Sequence, residues 1–147
     1  MFQFCSKLSS FDSNLSSLID GNGMFNSCSS LLDFTYDMSN LLTANRMFYA
    51  CASLTSFVGD LSSLIDCNSM FCYCNKLTTF TSDLSSLIDG NGMFYNCRLN
   101  PKTVKNILYT INDIKAEKEL YTSGKKQYIS NPKTDGNGFK SNGQYTY

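Results

Sequence analysis

The chain has 147 residues, the size of one domain or one short repeat array, and with 42% hydrophobic and 16% charged residues it can bury a core. Twelve Lys+Arg balance twelve Asp+Glu, so net charge directs it to no nucleic acid or other polyanion. It contains no His, which removes the commonest general base and the commonest metal ligand.

The balance hides two unequal regions. Residues 1–97 hold Lys7, Arg46 and Lys76 against eight aspartates, a net of −5; residues 98–147 hold nine cations against four acids, a net of +5. Two different surfaces are expected. At the N-terminus, MFQFCSKLSSFDSN lacks the basic, apolar and small-residue succession of a signal peptide. No run approaches the roughly 18 apolar residues of a membrane span. The chain as given reads as a virion component or a piece of a surface protein rather than a secreted chain, without membrane insertion.

From Met1 onward the chain repeats. Met-Phe occurs at 1–2, 24–25, 47–48, 70–71 and 93–94, a period of 23, and each pair is followed by Cys5, Cys28, Cys51, Cys74 or Cys97. The register continues through Leu8, Leu31, Leu54 and Leu77, then Phe11, Phe34, Phe57 and Phe80. Leu15, Met38, Leu61 and Leu84 follow, then Leu18, Leu41, Leu64 and Leu87, then Asn22, Asn45, Asn68 and Asn91. A unit this short cannot close a core alone, so identical columns are expected to stack, Phe on Phe and Leu on Leu. At about 4.8 Å per layer, four and a fraction units make a body about 20 Å long. Burying each large side chain, worth roughly 1.5–3 kcal/mol, must offset the entropy of ordering its layer.

Inside the unit, the Ser, Thr and Asp between the apolar positions of KLSSFDSNLSSL disfavour a helix. One short strand at the Leu-to-Phe step is predicted, followed by a tight, partly 3₁₀ return. In LSSLIDGNG, Gly21, Gly23, Gly90 and Gly92 permit positive φ.

The pattern C-x-x-L-x-x-F, then L-x-x-L, then G-x-x-M-F-x-x-C resembles a leucine-rich repeat. In length it is similar to the 23-residue bacterial class often called BspA-like, which carries A-F-x-x-C where this chain has M-F-x-x-C and an L-P step where it has D-L-S-S-L. The resemblance covers residues 1–97. It implies an α/β, β-rich leucine-rich-repeat solenoid of four 23-residue units plus a partial fifth, and a non-catalytic recognition role like that of surface adhesins and related phage proteins. It transfers no functional residue.

The solenoid is expected over 1–99 and a C-terminal capping helix over 100–119. Asn100 suits the N-cap and Pro101 the first helical position, and Val104, Ile107, Leu108, Ile111 and Ile114 form one apolar face. Residues 120–147 are a basic Gly/Asn/Lys-rich tail, with short strands expected around Gln127–Ser130 and Gln144–Tyr147.

Candidate chemistry is sparse. Cys72-Tyr73-Cys74 could seed a thiolate metal or redox site, against the plainer reading of the cysteine column as buried thiols. Disulfides between layers are disfavoured because their Cβ vectors run parallel. Asp37, Asp60 and Asp83, with Asp20, Asp66 and Asp89, could collect calcium or bond turn N–H groups. No nucleophile has a His beside it, and nothing singles out a Ser–Lys pair at Lys7 or Lys76. No enzyme activity and no cofactor are expected.

Two surfaces could recognise a partner. The strand face looks bland, with Tyr36 its only aromatic. Beside Met-Phe, however, Phe4, Tyr49, Tyr73, Tyr95 and Asn96 mix rings with amides, which suits a sugar or a protein contact and equally suits layer-edge packing. Met1, Phe2, Leu8 and Phe11 would present an open apolar layer, to be covered by a partner, a second copy or further repeats. The leading expectation is an attachment module for a protein or glycan on a cell surface, or for neighbouring virion proteins. The alternative is a rigid spacer whose tail docks in a larger assembly.

Overall fold

A computed structural model of the protein describes residues 1–110, 118–122, 125–129 and 139–141. Three short strands, β1 (Asp33–Asp37), β2 (Ser56–Asp60) and β3 (Thr79–Thr81), form a parallel sheet in chain order. Phe34 pairs with Phe57 and Phe57 with Phe80, so the register equals the period of the Met-Phe pairs. A second parallel ladder links Asp20 to Thr43, Thr43 to Asp66 and Asp66 to Asp89. A third runs through the Met-Phe segments, where the N–H groups of Phe2, Phe25, Phe48 and Phe71 donate to the carbonyls of Met24, Met47, Met70 and Met93 at 2.8–2.9 Å. The second, third and fourth units are thus bonded to one another at three places around the circuit. In the first unit, residues 10–14 form no strand; the Leu32 N–H reaches the Ser9 carbonyl at 3.3 Å and the pairing stops there.

The Met-Phe segment uses consecutive N–H groups alternately. Met24, Asn26 and Cys28 donate three residues back to Gly21, Gly23 and Phe25, while Gly23, Phe25 and Ser27 donate to Asn45, Met47 and Tyr49 of the next unit. That alternation requires left-handed backbone at two positions per unit. One column is Gly23, Arg46, Ser69 and Gly92; the other is Phe4, Ser27, Ala50, Tyr73 and Asn96, all with φ of 55–65°. Gly21 and Gly90 do not have positive φ, contrary to expectation. They are small for packing: a Cβ on Gly21 would sit 2.8 Å from Met47 Sδ. A non-Gly residue in left-handed backbone carries a steric cost of roughly 1–2 kcal/mol. Ala50→Gly is therefore expected to raise stability by about 0.5–1 kcal/mol after the extra unfolded-state entropy of Gly is deducted, read as a higher urea midpoint.

The returns are single turns rather than 3₁₀ segments. Leu18, Leu41, Leu64 and Leu87 each donate to the carbonyl three residues back at 2.9–3.1 Å. Their side chains join a core built around nine phenylalanines. Within the Met-Phe column neighbouring rings lie stacked at 5.3–5.6 Å, and within the strand column at 5.3–6.2 Å. Between the columns they meet edge to face at 4.6–5.7 Å. Both geometries satisfy the ring quadrupole. The Met-Phe and strand columns therefore pack against each other within one core.

After Cys97 the backbone continues onto the preceding unit, with the Arg98 N–H on the Leu77 carbonyl and the Asn100 N–H on that of Thr78, both at 3.0 Å. Helix α1 (Pro101–Thr110) follows. Asn100 Oδ1 caps it by accepting the Thr103 N–H at 2.9 Å. Val104 and Ile107 are buried in the core beside the last units. The helix expected to reach residue 119 is shorter: residues 118 and 119 open strand β4 (Lys118–Thr122), beyond the last apolar position of the helical spacing. β4 pairs antiparallel with β5 (Lys125–Ile129), and β5 with β6 (Phe139–Ser141). β5 overlaps the strand expected at Gln127–Ser130, β6 was not expected, and Gln144–Tyr147 lies outside the described residues.

Candidate recognition surface

The three tyrosines beside the Met-Phe segments come together on one face. Tyr49 and Tyr95 share a column, two units apart, with the small Cys72 between them. Tyr73 belongs to the adjacent column, and its ring meets both partners at 5.5 Å, nearly perpendicular at 77° and 88°. The result is a zigzag of three rings. Arg46 extends it, with Cζ 5.9 Å from the centre of the Tyr49 ring. Tyr73 is exposed and its neighbours half-buried. Burial, and next the adjacent Tyr95, push the Tyr73 phenol above its ordinary pKa, so it stays a neutral donor at physiological pH.

At one end of this zigzag lies a hollow of about 370 Å³, lined by Tyr73 and Asn75 of one unit and by Asn96 and Arg98 of the next. These four are two columns sampled in two layers. Of the residues singled out from the sequence, Tyr49, Tyr73, Tyr95 and Asn96 are therefore brought together. Phe4 is not. It shares the column of Tyr73 and Asn96, but Ser27 and Ala50 occupy the intervening layers, leaving its ring 70% exposed in the first unit.

The first layer is more covered than its sequence suggested. Met1 is 82% exposed, whereas Phe2, Leu8 and Phe11 are half-buried and packed against the core. Phe2 stacks on Phe25 and Phe11 on Phe34, and the Tyr36 hydroxyl donates to the Phe11 carbonyl.

The strand face is less bland than expected. A hollow of about 1070 Å³ opens between the strand exits and α1, lined among others by Tyr36, Gly59, Asp60, Asp83 and Asn106. Its carboxylates are engaged in turns: Asp37, Asp60 and Asp83 accept the N–H two residues on, at 2.8–2.9 Å. The Ser39 N–H, and then its side chain, hold the Asp37 carboxyl below its usual pKa. Asp20 and Asp89 bond Asn22 and Asn91 in the same way at 2.9 Å. The asparagines form a ladder of their own, with Asn22 and Asn45 Oδ1 accepting the N–H of Asn45 and Asn68 at 2.6 Å.

One surface feature escaped the sequence reading. Ile19, Leu42, Ile65 and Ile88 are exposed in a single column, 59% and 70% at its two ends. Their backbones are tied layer to layer at 2.9 Å. The signal was present as an aliphatic residue following each Leu of the return, pointing out where that Leu points in.

The seven cysteines carry reduced thiols. Cys28, Cys51, Cys74 and Cys97 are fully buried, and each Sγ–H donates to the carbonyl of Phe2, Phe25, Phe48 or Phe71 at 3.0–3.2 Å. The same carbonyl accepts the N–H of its own unit's Cys at 3.0–3.1 Å, so one acceptor joins two layers. Burial, followed by the neighbouring Cys51, pushes Cys28 up to about 11, and burial raises Cys74 and Cys97 as well. Burial raises Cys72 as well, opposed by the charge of Arg46. Such thiols are poor nucleophiles at neutral pH.

Among the described residues, no three His, Cys, Asp or Glu side chains are placed to hold a metal ion, and no helix is long and apolar enough to cross a membrane. No protein-family model, curated protein or solved structure matches the chain.

Proposed function

We propose that residues 1–99 are a solenoid of the leucine-rich-repeat type acting as a non-enzymatic recognition or attachment module, and that the tyrosine face is its contact surface. The observation that carries this reading is the zigzag of Tyr49, Tyr73 and Tyr95. Three amphipathic rings at 5.5 Å intervals stand on backbone bonded through every layer. Rings held this way lose little entropy on binding and supply large contact area, which is why Tyr anchors so many interfaces. The setting this serves is attachment at the surface of a cell or a virus particle.

Replacing Tyr49, Tyr73 and Tyr95 together by Ala is expected to weaken binding to intact bacterial cells or to an immobilised glycan panel by more than tenfold, while far-UV circular dichroism is unchanged. Each buried ring contact is worth on the order of 1 kcal/mol. Unaltered binding in the triple variant would sink this surface. If removal of residues 120–147 then abolished incorporation into a larger assembly, the rigid-spacer reading would take its place.

A further inference from the structure

The charges of the repeats are sorted by position within the unit. Counting each unit from its Met, the eight aspartates of residues 1–97 stand at positions 10, 12, 14 and 20. The cations do not mix with them: Lys7 and Lys76 stand at 7, Arg98 at 6 and Arg46 at 23. Five of the eight aspartates, at positions 10–14, lie level with the strand and its exit, and three, at position 20, lie in the ladder of Asp20, Thr43, Asp66 and Asp89, whereas positions 23 through 7 flank the Met-Phe segment. None of the eight falls between positions 23 and 7, where Lys7, Arg46, Lys76 and Arg98 stand. Arg46 lies at one end of the ring zigzag and Arg98 at the other.

The hollow between layers has matching chemistry. The guanidinium of Arg98 offers a planar pair of donors that fits a carboxylate. The amides of Asn75 and Asn96 each both donate and accept, as neighbouring sugar hydroxyls require. Tyr73 supplies one ring face or edge for the C–H side of a sugar. The lining holds no aliphatic pocket of the kind that seats a hydrophobic peptide anchor. Its volume of about 370 Å³ lies at the lower end for small-ligand sites, enough for a short stretch of glycan.

We infer that the hollow of Tyr73, Asn75, Asn96 and Arg98, with the tyrosine zigzag running from it, binds a carboxylate-bearing glycan. Arg98 takes the carboxylate, the two asparagines take hydroxyls, and the rings of Tyr73 and Tyr49 carry the chain toward Arg46. This rests on the recognition reading above and adds its ligand class.

The test is calorimetry or surface plasmon resonance on the full chain with three probes of matched length: an oligogalacturonate, the corresponding neutral oligogalactoside, and oligoglutamate. The oligogalacturonate is expected to bind best, with affinity falling as salt is raised. Arg98→Gln should weaken it about tenfold or more, the loss of one charge-assisted pair, and Asn75→Ala several-fold, with thermal midpoints near that of the unaltered chain. Equal binding of the neutral oligomer, no effect of Arg98→Gln, or binding of none of the three overturns the proposal. So does equal binding of oligoglutamate with Tyr73→Ala neutral, which is plain charge attraction. If a neutral glycan or a protein binds instead, and the triple tyrosine variant loses it, the recognition reading survives and the acidic-glycan assignment alone fails.

Discussion

Phe57→Ala is expected to lower the free energy of unfolding by about 3–5 kcal/mol, and Phe11→Ala by less than half as much. Phe57 is fully buried in the middle of the strand column. Its ring meets Phe34 at 5.9 Å, Phe80 at 5.3 Å, Phe48 at 5.7 Å and Phe71 at 5.0 Å. The hole left by truncation cannot close, because the rings above and below are fixed by the pairing of Phe34, Phe57 and Phe80. The variant then loses the transfer energy, four favourable ring geometries and the contacts around an unfilled cavity. Phe11 is half-buried, and its own segment forms no strand, so its layer can relax. Stability in stacked repeats is carried by interfaces between neighbours, and loss at the central layer uncouples the units on either side. A lower denaturant slope is expected for Phe57→Ala as well as a lower midpoint. Equal costs at the two positions would contradict a core coupled layer by layer.

How much of this was legible depends on whether a feature repeats and whether it is made of atoms or of their absence. The strand register could be read from the Met-Phe pairs, because a spacing of 23 sets Phe34 between Phe11 and Phe57. The left-handed positions could not. Arg46, Ala50, Ser69 and Tyr73 have no propensity for that backbone; it is imposed by bonds such as Arg46 N–H to Asn68 at 3.0 Å and Ala50 N–H to Cys72 at 2.8 Å. Gly23 and Gly92, in the column of Arg46 and Ser69, were the one hint, and the column of Ala50 and Tyr73 had none. The tyrosine zigzag was half legible. The residues were flagged by their nearness to Met-Phe, but that Tyr73 bridges two others depends on the small Cys72 lying between Tyr49 and Tyr95. The hollow on the strand face was invisible to residue counting, since Gly59 contributes to it by lacking a side chain between Tyr36 and Ser82; a Cβ there would meet the Tyr36 carbonyl at 2.8 Å. The aliphatic column of Ile19, Leu42, Ile65 and Ile88 went unread, because only the direction of each side chain sets it apart from the core. Beyond Thr110 no period constrains the chain, and the helix end at 119 was an extrapolation of apolar spacing past Ile114.

The second large effect is expected in alkali. Stability should be flat from neutral pH to about 9 and then fall, steeply through pH 11. The thiols of Cys28, Cys72, Cys74 and Cys97 are all raised in the folded protein, Cys28 to about 11, from an unperturbed value of 9.0. Below pH 9 the thiol is protonated in both states and its contribution is complete. Between 9 and the folded value, the unfolded chain has released a proton that the folded chain still holds, so unfolding gains with each step of pH. Each such thiol contributes a slope of about −1.4 kcal/mol per pH unit, and several acting together should exhaust a marginal stability of about 5–15 kcal/mol within a few units. The structural cause is specific. A thiolate cannot donate to the carbonyls of Phe2, Phe48 and Phe71, and it would face those oxygens with like charge in a site closed to water. Denaturant titrations at pH 7, 9, 10 and 11 would measure the fall. The double variant Cys74→Ser/Cys97→Ser keeps a hydroxyl donor near the same carbonyls but does not ionise in this range, so its curve should be flatter whatever its stability at pH 7. Lysine and tyrosine titration is common to both proteins and cancels in the comparison. Identical slopes in the two would mean that the buried thiols are not what alkali attacks.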